Sequence, residues 1–175
     1  MSRLLPGLLL LAALLATPSL ASDPEHRLHL SLGGGAQAYL SDTRTMGGVG
    51  ASVGLKDVYR DFLLLEADAS YLFLIGNVFA LRGGVGVQWP GLYSPAVSVN
   101  LGLLMGDRFS FLQPGLGSAG PTPSLTFGLV VSPIRFFTSR GIVSVLQLGA
   151  GLGTEFPGLG RSIYLGLLEI SVPLR

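Results

Sequence analysis

Residues 63–89 read LLLEADASYLFLIGNVFALRGGVGVQW, and the order of their side chains decides the fold class. Leu63, Leu65, Ala67, Ala69, Tyr71, Phe73 and Ile75 take one set of alternate positions, while Leu64, Glu66, Asp68, Ser70, Leu72 and Leu74 take the other. Both acids and the hydroxyl fall on one side. After Gly76-Asn77, Phe79, Leu81, Gly83, Val85, Val87 and Trp89 alternate with Ala80, Arg82, Gly84, Gly86 and Gln88. A period of two is that of extended strand, since helical spacing would mix the two sets. A Gly-Asn pair between two such runs is a hairpin signal, and folding back there carries Glu66 and Asp68 toward Arg82.

The same alternation extends in both directions. Leu28, Leu30 and Leu32 oppose His29, Ser31 and Gly33; Val49, Ala51, Val53 and Leu55 oppose Gly50, Ser52, Gly54 and Lys56. Further on, Val97, Val99, Leu101 and Leu103 oppose Ser98, Asn100 and Gly102, and Leu125, Phe127, Leu129 and Val131 oppose Ser124, Thr126, Gly128 and Ser132, with Val130 out of phase. Leu146, Leu148, Ala150 and Leu152 oppose Gln147, Gly149, Gly151 and Gly153. In the last run Tyr164, Leu168, Ile170 and Val172 alternate with Ile163, Leu165, Leu167, Glu169 and Ser171, and the face bearing Glu169 is read as the inner one. These patterns predict eight strands, at 27–40, 47–56, 62–75, 78–89, 95–106, 122–138, 141–155 and 162–174.

Composition says what such strands are for. Only 12% of the 175 residues are charged and 26 are glycine, against about 25% charged and about 7% glycine in soluble domains. There is no cysteine, which excludes a disulfide framework, a thiolate metal site and a lipidated N-terminal Cys. Residues 1–21, MSRLLPGLLLLAALLATPSLA, read as a signal peptide cut before Ser22: Arg3 precedes an apolar run too short to span, and Ser19 and Ala21 suit the cleavage site. Residues 22–175 then form the domain, and loss of Arg3 leaves it neutral, which argues against nucleic acid as a partner. Its mean hydropathy remains roughly +0.46, so the leader does not explain the apolar character.

Two later charge-free stretches are long enough for a membrane helix, at Gly83–Gly106 and Leu112–Ile134. Pro90 and Pro95 interrupt the first; Pro114, Pro121, Pro123 and Pro133 interrupt the second. The remaining way to satisfy every backbone group in lipid is a closed β-barrel with its apolar face outward. The expected fold is therefore all-β: a closed up-and-down antiparallel transmembrane barrel of about eight strands, with both termini on the periplasmic side.

Three features suit that wall. Gly33, Gly35, Gly50, Gly54, Gly84, Gly86, Gly102, Gly128, Gly149, Gly151 and Gly153 share the polar face, where a narrow lumen leaves little room. Asp42, Arg44, Asp57, Arg60, Asp61, Asp107, Arg108, Arg135, Arg140 and Arg161 fall at or near strand ends, whereas Glu66, Asp68 and Arg82 lie within strands on the polar face and are expected to form an internal ion-pair network. Tyr59, Phe62, Trp89, Tyr93, Phe109, Phe111, Phe136, Phe137 and Phe156 lie near segment ends, as interfacial girdles require.

Motifs for chemistry are sparse. Gly115-Leu116-Gly117-Ser118-Ala119-Gly120 matches a dinucleotide fingerprint in letters, but Pro121-Thr122-Pro123 follows where a helix should open, so the segment is read as the longest loop. His26 and His29 are the only histidines and lack companion ligands, so neither metal nor cofactor is expected. His29 and Ser31, on one side of a strand, are the sole candidates for a base and a hydroxyl nucleophile; their ordinary role is to line a polar wall.

With its leader, glycine-rich alternating strands and turn-end charges such as Asp107-Arg108, the chain resembles the small outer-membrane β-barrel proteins of Gram-negative bacteria. The resemblance implies a bacterial outer-membrane location, lipid and the barrel-assembly machinery as partners, and a monomer. It departs at Val172-Pro173-Leu174-Arg175, where that family usually ends in an aromatic assembly signal. The leading expectation is a non-enzymatic barrel with a structural or surface-interaction role and no open pore. Two alternatives stay open: a barrel enzyme acting on lipid, since the lipid A deacylases use a His-x-Ser pair which His29 and Ser31 resemble, and a soluble β-barrel binding an apolar ligand.

Overall fold

The computed structural model describes residues 26–41, 45–74, 76–107, 123–138, 140–155 and 158–174. The proposed leader, the Gly115–Gly120 motif, Asp42, Arg44, Arg108, Phe109, Phe111 and Phe156 lie outside them. Eight strands follow in order: β1 His26–Leu40, β2 Thr45–Tyr59, β3 Leu63–Leu74, β4 Val78–Gln88, β5 Ala96–Gly106, β6 Ser124–Thr138, β7 Gly141–Glu155 and β8 Gly158–Pro173. Each pairs antiparallel with its neighbour and β8 closes on β1, so the barrel has no free edge. Among the described residues there is no helix long and apolar enough to cross a membrane.

Strand ends differ from expectation where pairing outlasts sequence alternation. β2 runs through Val58 and Tyr59 because a tight turn follows: Arg60 and Asp61 have φ of 50° and 59°, and the Phe62 N–H donates to the Tyr59 carbonyl at 3.1 Å. Two consecutive left-handed residues make the kind of two-residue turn whose twist matches a hairpin. That turn sets the β2–β3 register, placing Lys56 opposite Glu66. β8 starts at Gly158, four residues earlier than expected, through its pairing with Glu155.

The two faces segregate by polarity, inverted relative to a soluble barrel. Leu32, Val53, Leu65, Phe79, Val85, Leu101, Phe127, Leu129, Leu148 and Ile163 are exposed on the outside. Lys56, Glu66, Ser98, Asn100, Thr126, Gln147 and Glu169 are buried inside. Phe62, Trp89, Tyr93 and Phe136 stand exposed toward the end where β1 starts and β8 finishes, and Tyr71 and Phe73 toward the opposite end. Phe137 departs from the girdle: it packs inward against Val58, Leu64, Ala96 and Ile142.

Two irregularities change which side chains face in. The β6–β7 register shifts between Val131 and Ile134 and again before Arg135. Strict alternation from the buried Ser132 would turn Arg135 outward; the bulge at Pro133 turns it in. Arg135, expected at a solvated strand end, is instead 1% exposed within the lumen. The second shift, between Gly34 and Gly35 of β1, leaves Leu167 of β8 as an extra residue. Glu169 and Ser171 are inside as expected, but above the bulge the inner side chains are Ser162 and Tyr164, while Ile163 and Leu167 face outward. The inner-face assignment of β8 therefore holds only for its last third.

Candidate functional site in the lumen

The lumen is a stack of layers. Toward the loop end Tyr39, Met46, Leu72, Val78, Ala80 and Leu104 pack together; toward the terminal end Val58, Leu64, Ala96 and Ile142 do the same. Lys56, Glu66, Asp68, Arg82 and Glu169 lie between these plugs. Glycines make the layering sterically feasible. A Cβ on Gly153 or Gly160 would collide with the Tyr39 ring, and one on Gly84 would collide with the Asn100 side-chain amide oxygen, so each large inner residue occupies space that a neighbouring strand leaves empty.

Asp68 and Arg82 face one another across the regular β3–β4 ladder, with Arg82 Nε donating to Asp68 Oδ2 at 2.9 Å. The guanidinium also lies over the Tyr164 ring, 4.1 Å from its centroid. Tyr164 donates to Gln147 Oε1 at 3.0 Å. Glu66 does not join Arg82 directly. Its partner is Lys56, 3.4 Å away, and the same ammonium lies 2.6 Å from Glu169 Oε1. Ser98 Oγ donates to Glu66 Oε1 at 2.8 Å and in turn accepts from Asn100 Nδ2 at 2.8 Å. Lys56 and both its carboxylates are at most 9% exposed, so the three charges are stable inside only as a set.

The expected network of Glu66, Asp68 and Arg82 is thus two adjoining groups, one built on Arg82 and one on Lys56. Lys56 was legible: the turn after Tyr59 pairs it with Glu66 by simple counting. Arg135 was not legible, because its facing depends on the bulge, although a proline inside a strand pattern is a known bulge marker.

His29 and Ser31 are both inside and buried. His29 Nδ1 donates to the Arg27 carbonyl at 2.8 Å and the ring sits edge-on to Phe137, 6.0 Å between centroids. Ser31 stands opposite Gly54 and Ser171. No hydrogen bond joins His29 to Ser31 among the contacts of the described residues, and neither reaches the apolar outer face where an acyl chain would lie. Among the described residues no cluster of His, Asp and Glu has metal-binding geometry. One lumen void, about 30 Å³, is bordered by Gln37, Arg82, Asn100, Thr126 and Tyr164; another, about 10 Å³, by Ser52, Asp68, Ser70 and Tyr164. These hold about a water or two and no larger solute.

By sequence, no family model and no curated protein matches the chain. By structure it is similar to neisserial surface protein A at 10% identity, over 84% of this chain and 97% of that one, with a TM-score of 0.62. Weaker likenesses are to the N-terminal β-barrel domain of Pseudomonas aeruginosa OprF, at 15% identity over 82% and 96% of the chains with a TM-score of 0.48, and to Ail, the attachment invasion locus protein of Yersinia pestis, at 9% identity over 84% and 99% with a TM-score of 0.42. At such identities the first likeness establishes the fold, a small eight-stranded closed barrel.

Proposed function

We infer that this protein is a small bacterial outer-membrane barrel with a structural or surface-interaction role, sealed to solutes and without catalytic activity. The carrying observation is the inverted polarity of a closed barrel: an apolar exterior around a polar, ion-paired interior capped by two apolar layers. A soluble barrel that binds an apolar ligand would need the reverse, an apolar cavity beneath a polar surface. A lipid-processing role is disfavoured by the placement of His29 and Ser31, which face the lumen while the lipid would lie outside. The start of β1 and the end of β8 lie at one end of the barrel, which in the outer membrane is the periplasmic end. Lipid and the barrel-assembly machinery are the partners this reading implies, and a monomer is its expected state.

The decisive measurement combines detergent extraction with electrophoresis before and after boiling. Membrane recovery and a mobility change on boiling are expected; recovery in the soluble fraction with unchanged mobility overturns the reading. Reconstituted into a planar bilayer, the protein should carry no steady current above the lipid baseline, and porin-sized steps would overturn the sealed lumen. Unaltered lipid A in cells with and without the protein is expected, and Ser31-dependent deacylation would install the enzyme reading instead.

A further inference from the structure

We propose that the lumen holds a small inorganic anion of halide size, bound by Arg135 near the terminal end. Nε, Nη1 and Nη2 of Arg135 are all buried without a hydrogen-bond partner among the described residues, and the residue is 1% exposed. An arginine cannot shed its charge, so these N–H donors need an acceptor. Among the described residues no carboxylate bonds Arg135: Asp68 pairs with Arg82, and Glu66 and Glu169 share the single ammonium of Lys56. The neighbouring wall supplies further donors. Ser144 stands opposite Arg135 on β7, and Ser94 donates its backbone N–H to the Arg135 carbonyl from the other side at 2.8 Å. Both serine hydroxyls are buried and unpartnered, as is that of Ser171.

A guanidinium set across the ladder from a serine whose hydroxyl is free matches a compact anion, which accepts from many directions at once. The apolar layer of Val58, Leu64, Ala96 and Ile142 borders this level and excludes water, which strengthens the attraction. Glu169, opposite Ser144, lies 2.6 Å from the Lys56 ammonium, which offsets part of its repulsion of the ion. This inference is independent of what the barrel does at the cell surface.

The test uses the whole barrel refolded in detergent. Bromide soaked into crystals is expected to give an anomalous peak within hydrogen-bond distance of the Arg135 guanidinium. In solution, replacing gluconate by chloride at constant ionic strength should raise the unfolding midpoint by about 2–4 °C at saturating chloride. Arg135→Met should abolish both signals. Should that variant fail to fold, Ser144→Ala keeps the charge and is expected to weaken the apparent chloride affinity at least about tenfold, roughly the loss of one charge-assisted hydrogen bond. Ordered water alone beside Arg135, a direct Arg135–Glu169 pair, or a bromide peak with no chloride effect in solution each overturns the proposal, the last by showing an adventitious ion only.

Discussion

The β3–β4 and β6–β7 hairpins each carry a buried arginine, and the two side chains have opposite surroundings. In β3–β4 the ladder runs unbroken from Leu63↔Val87 to Leu72↔Val78, and Arg82 lands directly across from Asp68. In β6–β7 the register slips near Pro133, and Arg135 lands across from Ser144 with no carboxylate bonded to it. A regular ladder pairs charges by position. A bulge can turn a charge inward while leaving its pairing to something else, which is why the two arginines should respond differently to the same change.

The largest expected effect lies between these hairpins. Lys56→Met strands both Glu66 and Glu169 in the lumen, and a loss of at least ~3–5 kcal/mol is expected; urea unfolding followed by the fluorescence of the single tryptophan, Trp89, measures it. Restoring most of that stability by adding Glu66→Gln and Glu169→Gln would sharpen the charge-set account, and no restoration would break it. Arg82→Met strands one carboxylate, Asp68, and should cost ~3 kcal/mol in the same assay. Pro133→Val restores the missing backbone donor at unchanged length; where the bulge closes, strict alternation from Ser132 turns Arg135 toward lipid, and near a strand end this should cost about 1 kcal/mol for the charge, relieved by a further Arg135→Leu. The smallest change belongs to Arg135→Met in chloride-free buffer. It strands no carboxylate and should stay within about 1 kcal/mol of the parent, in contrast to Arg82→Met. Equal losses for the two arginines would remove the distinction between the hairpins.

How much of this could be read in advance depends on regularity. Asp68 opposite Arg82 follows from alternation and the Gly76-Asn77 turn; Lys56 opposite Glu66 needs only the turn after Tyr59 to be located. Tyr164 and Arg135 defeated the reading for one reason: each lies beyond a bulge, and a single extra residue exchanges the two faces of everything after it. Phe137, expected in the girdle from its position near a strand end, packs inward against the terminal-end plug.

Alternating polarity, the shortage of charge and the glycine-rich inner face were enough by themselves to determine an eight-stranded barrel with its apolar side out, because a period of two and the need to satisfy every backbone group leave few alternatives. Only the tertiary structure decided which charges meet. Closure of β8 on β1, together with the two bulges, brings Lys56 to Glu169, sets Arg82 over Tyr164 and isolates Arg135. Contacts across a closed barrel join residues far apart in the chain, and their partners are set by register, which local sequence pattern specifies only until the first slip.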